Sequence, residues 1–338
     1  MRQKLTLFTL LLTIAIAASA VSAQTTAKDF YEKGKAESRK GDFKAAGDDY
    51  TKAFDLDPAS LPPSFSAAIV KMKAKDIAGG LAALGDAIKA DPDNGYLYFV
   101  RATASLAPGM PPSASVTAMA DWSKVIELAP GTAIAYFFRA NILSDKGDFD
   151  GAIADLSKAI EIEPKNVEFH LVRAGARVKK NDIEGVIADY SKIIEIDPTS
   201  VTTYITRGQL RMGIKDHDGA IADFTKVIEI DPKNPQLADV YYNRALVRFS
   251  KDDPAGAIAD CTRAIEIDPK YAGAYDFRGL MRGISDDTPG GIADITRAIQ
   301  LAPDIASYYR DRAVQYRSLK KTALAAADEK RAAELEKK

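Results

Sequence analysis

The sequence predicts an all-α protein, built by stacking one helix–turn–helix unit many times along the chain. Three observations carry that prediction. The residues from Ile153 to Pro164 return in near copies at 187–198, 221–232, 258–269 and 292–303. The prolines closing this cadence, Pro58, Pro92, Pro130, Pro164, Pro198, Pro232, Pro269 and Pro303, are spaced 34, 38, 34, 34, 34, 37 and 34 residues apart. Within each period, apolar residues recur every three or four positions, which places them on one face of a helix. A period this regular is the mark of a repeat stack, whose function lies in the surface it presents rather than in one site.

The first element is a leader. Residues 1–23 open with Arg2 and Lys4, continue in an apolar run from Leu5 to Ala18, and end in the small residues Val21 and Ala23 before Gln24. This pattern is that of a cleavable secretory signal peptide, cut after Ala23 or, alternatively, after Ala20. An uncleaved anchor is the competing reading, but the run is shorter than the ~20 apolar residues of a spanning helix. The expected location is periplasmic or secreted, with no stable membrane insertion after cleavage.

Residues 24–338 hold the repeats, beginning near Ala27, Leu61, Gly95, Ala133, Val167, Val201, Ala238, Ala272 and Ala306. In the repeat from Ala133, Tyr136, Ala140 and Leu143 stripe the first helix, and Ala152, Leu156 and Ala159 answer from the second. Small residues let the two helices approach while large ones fill the space beside them. Gly41-Asp42, Gly147-Asp148 and Asn181-Asp182 each supply a residue tolerant of left-handed backbone and then an N-cap. Asp253-Pro254 is a cap followed by proline at the first helical position. The closing prolines stop each second helix. Asn94, Asn166 and Ser200 are expected to cap the first helices that follow.

Two repeats break the period. In the third, the stretch from Ala107 to Pro112 contains Pro108, Gly109, Pro111 and Pro112, and so forces a longer, protruding loop between the helices. In the seventh, Asn234-Pro235 sits early and predicts a first helix longer by about one turn. The last second helix, from Thr322 to Lys338, is rich in Ala, Glu and Lys, as suits the solvent-facing end of a stack.

The order Tyr136, Ala140, Gly147, Asp148, Phe149, Ala152, Leu156, Ala159 and Pro164 resembles that of the tetratricopeptide repeat (TPR) family, and nine units follow it. The resemblance implies an α-solenoid of TPR helix pairs, coiled as a right-handed superhelix with the first helices lining an inner groove. Its fifth positions would then present Tyr31, Phe65, Phe99, Phe137, Leu171, Ile205, Tyr242, Asp276 and Arg310. Its twelfth positions add Met72, Leu106, Val178, Met212 and Phe249. Such a wall suits a protein or peptide segment, extended or helical. Two readings stay open: a groove for a partner, or residues consumed by packing between neighbouring first helices. A structural protein whose groove is filled by another copy of itself, or by its own terminus, is the alternative function.

Charges recur as regularly as apolar residues. Arginine takes the seventh position as Arg101, Arg139, Arg173, Arg207, Arg244, Arg278 and Arg312, and aspartate recurs in the second helices as Asp121, Asp155, Asp189, Asp223, Asp260, Asp294 and Asp328. The first repeat keeps the signs with Lys33 and Asp49, and the second loses both at once with Ala67 and Ala83. Pairing within a repeat strands no member, so an internal ion pair between the two helices is expected. Arg207→Ala should then destabilise more than the double change with Asp223→Ala.

Other chemistry finds little support. The chain of 338 residues is 46% hydrophobic and 28% charged, with a formal charge of −1; that charge becomes about −3 once Arg2 and Lys4 are taken away. With no basic cluster, nucleic acid is not an expected partner. No phosphate loop, zinc spacing or nucleophile motif occurs, so no enzymatic activity, cofactor or metal is expected. His170 and His217 lie in different repeats, and His170 takes a core position. Cys261 is the only cysteine, so no intrachain disulfide can form, and its repeat position is otherwise filled by packing residues such as Leu156 and Phe224.

Overall fold

The computed structural model describes residues 25–337. The leader expected at 1–23 and the terminal Lys338 lie outside the described residues. Among these the chain is all-α, with eighteen α-helices and no strand. It divides into two compact units, one ending at Phe169 and one beginning at His170.

The first unit contains α1 (Ala27–Lys40), α2 (Phe43–Leu56), α3 (Pro63–Lys73), α4 (Ile77–Ala90), α5 (Gly95–Ser105), α6 (Ser113–Leu128), α7 (Ala133–Asp145) and α8 (Phe149–Ile162), together with the start of α9 (Val167–Lys179). Consecutive helices pair as hairpins, α1 with α2, α3 with α4, α5 with α6 and α7 with α8. Trp122, Tyr50, Phe169, Leu84, Leu97 and Leu156 are its largest fully buried side chains; each contributes about 1.5–3 kcal/mol by leaving water.

The second unit carries the remainder of α9, then α10 (Ile183–Ile196), α11 (Val201–Gly213), α12 (His217–Ile230), α13 (Leu237–Ser250), α14 (Pro254–Ile267), α15 (Ala272–Ile284), α16 (Thr288–Leu301), α17 (Ala306–Ser318) and α18 (Thr322–Leu335). Phe224, Ile295, Met281, Val186 and Val227 fill its core. Adjacent first helices also touch, α11 with α13 and α15 with α17.

The turns explain the hairpins. Gly41 and Gly147 (both φ 81°) and Asn181 (φ 58°) adopt the left-handed conformation, and the aspartate that follows each accepts a backbone N–H three residues on. Lys75, Lys215, Asp252 and Asp286 occupy the same left-handed position in other repeats. At these residues the backbone is held against its preference by the cap and the packed helices on either side.

Two local expectations are corrected. Of the presumed first-helix caps, only Asn166 caps, its Oδ1 accepting from the Glu168 N–H at 3.2 Å. Ser200 meets the Thr203 hydroxyl instead, and Asn94 is buried in a separate network. The insertion at Asn234-Pro235 does not lengthen its helix by a turn: α13 starts at Leu237, because the Asn234 side chain accepts from the Gln236 N–H at 2.8 Å and closes a turn before the helix. In the third repeat the connection between α5 and α6 spans 106–112, where the following repeats have only 146–148 and 180–182, so the longer loop expected there is present.

Candidate functional site

Each seventh-position arginine reaches the aspartate of its own repeat. Arg101, Arg139, Arg207, Arg244, Arg278 and Arg312 each donate from Nε and Nη2 to the two oxygens of Asp121, Asp155, Asp223, Asp260, Asp294 and Asp328, at 2.6–2.9 Å. This two-bond fork is the strong form of the interaction. Arg173 and Asp189 meet at 2.6 Å, and Lys33 and Asp49 at 3.1 Å.

The structure adds partners that the sequence reading missed. Nη1 of Arg139, Arg207, Arg244, Arg278 and Arg312 donates to the hydroxyl of Ser123, Ser191, Thr225, Thr262 and Thr296 in the preceding repeat. Four of these hydroxyls spend their own proton on the carbonyl four residues back, leaving lone pairs for the arginine. A tyrosine three residues before the arginine stacks beneath its guanidinium, as Tyr136 does under Arg139 and Tyr204 under Arg207. In the second unit a further arginine joins: Arg177, Arg211 and Arg282 reach Asp189, Asp223 and Asp294 at 2.8–3.0 Å. The signal was present as serine or threonine two residues after Asp121, Asp189, Asp223, Asp260 and Asp294. These charges are therefore spent on holding repeats together.

His170 is buried with its ring 3.4 Å from Asp189. Burial pushes the Cys261 thiol up to about 12, so it stays protonated and unreactive. No group of three or more His, Cys, Asp or Glu suited to a metal occurs among the described residues.

The fifth and twelfth positions differ between the units. In the first unit, Phe65 and Phe137 are buried. Phe65 meets Tyr50 edge-on at 5.0 Å, and Phe137 packs on Phe169 at 5.3 Å. Phe99 is held between Phe43 at 4.9 Å and Trp122 at 5.4 Å. Tyr31 and Met72 are half-buried against the same core, while Leu106 is exposed beside the loop.

Much of this closure comes from the first repeat, whose helices α1 and α2 both touch α5 of the third repeat. Asn94 is the centre of that contact, accepting from the Ser38 hydroxyl and donating to the Tyr50 hydroxyl, both at 3.0 Å. The Tyr96 N–H donates to the Ser38 oxygen at 2.9 Å, and Lys35 pairs with Asp91 at 3.2 Å.

In the second unit the wall is more open. Leu171, Val178 and Phe249 are 45%, 52% and 43% exposed. Met212 and Leu246 line a shallow depression with Gly213, Lys215, His217 and Ser250. Tyr242 is half-buried, with Tyr271 at 5.1 Å and Phe277 at 6.1 Å. Ile205 is buried in the core around Phe224. At the fifth position of the next repeats, Asp276 is buried and Arg310 is exposed and paired with Glu336 at 2.6 Å. No described helix is long and apolar enough to cross a membrane.

Comparison with known proteins agrees with this architecture. Two family models, both described as tetratricopeptide repeat, match the chain, one over residues 133–166 and 238–271 and the other over 30–60 and 201–234. A search of curated proteins finds no match. Among solved structures, the crystal structure of MamA is 26% identical over 48% of this chain and 94% of its own, with a TM-score of 0.46. YrrB, described as a TPR protein with an unusual peptide-binding site, is 19% identical over 53% of this chain and 91% of its own, with a TM-score of 0.45. The structure of Naa15/Naa10 bound to HypK-THB aligns with 75% of this chain and 38% of that one at 12% identity and a TM-score of 0.60, a likeness of fold.

Proposed function

We propose that this chain, a tetratricopeptide-repeat protein, is a non-enzymatic scaffold that binds a peptide or protein segment along the first helices of its C-terminal unit. A general protein-binding role goes with the repeat family. The observation favouring the C-terminal wall is the exposure of Leu171, Val178 and Phe249 beside half-buried Met212 and Tyr242, while Phe65 and Phe137 of the first unit are enclosed. Leu171 and Val178 on α9 and Phe249 on α13 lose water contact only when something covers them. Residues 24–338 form the repeat-built part of this scaffold, and the arginine–aspartate forks are its internal ties.

The test is peptide binding by the full chain followed by nuclear magnetic resonance. A peptide selected for binding should shift signals of Leu171, Val178, Met212 and Phe249 and leave those of Phe65 and Phe137 in place. Shifts confined to the first unit would sink this assignment.

A structural reading has support of its own in the first unit, where α1 and α2 pack on α5 and occupy the Phe65 and Phe99 side chains. There the chain's own N-terminal repeat takes the place of a partner. Export is proposed from the leader pattern of residues 1–23: a mature chain isolated from its host should begin at Gln24, and a chain retaining Arg2 and Lys4 would contradict cleavage.

A further inference from the structure

Asp276 breaks the pattern of the wall. It stands at the fifth position of the eighth repeat, where the seven earlier repeats carry aromatic or aliphatic residues from Tyr31 to Tyr242. Its side chain is only 9% exposed, and its Oδ1 is buried without a hydrogen-bond partner. Asp311, on the neighbouring first helix α17, lies close enough to push that carboxyl up. Tyr242 of α13 and Tyr308 of α17 both lie near Asp276.

Of the chain's own cations only Arg310 bears on this pair, and it acts on Asp311 rather than on Asp276. On α17, Arg310 is drawn to Glu336 and Arg312 to Asp328. On α15, Arg278 and Arg282 both hold Asp294. Burying two carboxyls together is unfavourable unless a proton or a cation reaches them. Another aromatic residue, as in the preceding repeats, would fill the position without that cost. Burial and the neighbouring Asp311 push the Asp276 carboxyl up to about 7, which describes a site short of positive charge.

We propose that the Asp276–Asp311 pair receives the ammonium or guanidinium group of a lysine or arginine in the bound segment, so that the wall selects an apolar segment carrying one basic residue. The proposal rests on the C-terminal wall as binding surface and names what that wall recognises. Apolar side chains would lie along Leu171, Met212, Tyr242 and Phe249. The basic residue would reach the carboxyls near Tyr242 and Tyr308. Asp311, half-buried, is the more accessible member and the one a lysine or arginine would meet first.

The test uses a random twelve-residue peptide library displayed on phage. It is selected against the full chain and, separately, against Asp276→Asn/Asp311→Asn, with thermal melts establishing that both are folded. Selected peptides should share one lysine or arginine position, should bind about tenfold or more weakly when that residue becomes glutamine, and should lose that discrimination on the double variant. Peptides enriched without a basic preference, or with the same preference on the double variant, would overturn the proposal while leaving the wall as a binding surface. If the full chain enriches no peptide at all, both the wall and this recognition fail.

Discussion

Arg139 of α7 and Asp155 of α8 are joined by two parallel hydrogen bonds of 2.7 Å, Nε to Oδ2 and Nη2 to Oδ1. Asp155 has no second arginine, whereas Asp223 is held by both Arg207 and Arg211. Arg139→Ala should therefore cost about 3 kcal/mol by stranding a buried carboxylate, and the double change with Asp155→Ala should cost less. Arg207→Ala should be milder, because Arg211 still neutralises Asp223. Urea melts of the three variants check this; a double variant no more stable than Arg139→Ala would contradict it.

Asn94 ties the first repeat to the third through Ser38 and Tyr50. Asn94→Ala leaves both hydroxyls without that partner in a buried site and should cost about 2–3 kcal/mol. Hydrogen exchange should then quicken in α1 and α2 more than in α7 and α8. Uniform protection across the first unit would show that the first repeat is held by other contacts.

Asp276 gives the stability a pH dependence with a defined sign. Its folded pKa, pushed up to about 7, lies above the unfolded value of about 3.9, so between them the native state binds more protons. Stability is then highest at the acidic end of that range and falls as pH rises toward 7, by about 1.4 kcal/mol per unit. Burial also raises Asp311, against the opposing charge of Arg310, and so acts in the same direction, while Tyr242 and Tyr308 stay neutral. Asp276→Asn should flatten the urea midpoint between pH 5 and 7 relative to the unaltered chain. Equal slopes for the two proteins would refute the assignment.

The repeat architecture was legible because it is written in local, periodic signals: the closing prolines, the Asp caps and the paired loss of Arg and Asp in the second repeat. The forks were legible for the same reason, since Ala67 and Ala83 replace both partners together in the second repeat. What periodicity could not supply was contact between repeats distant in sequence. Phe43 stacks on Phe99, and Ser38 meets Asn94, because α1 and α2 pack on α5 in three dimensions, and nothing at those positions repeats. Exposure along the wall was hidden likewise: Phe137 and Leu171 hold the same repeat position, yet one has Phe169 against it and the other faces solvent. Replacing Phe99, Phe137 and Tyr242 would on this account damage the core, which moves the informative substitutions to the exposed residues.

The most direct measurement is therefore made on Leu171→Ser/Val178→Ser/Phe249→Ser, comparing its melting temperature and its affinity for a library-selected peptide with those of the unaltered chain. These side chains are 43–52% exposed, so the melt should fall by only a few degrees, on the order of 1 kcal/mol, while peptide affinity falls at least about tenfold. An intact melt with unchanged affinity, or loss of the fold itself, would contradict a binding surface on the C-terminal wall.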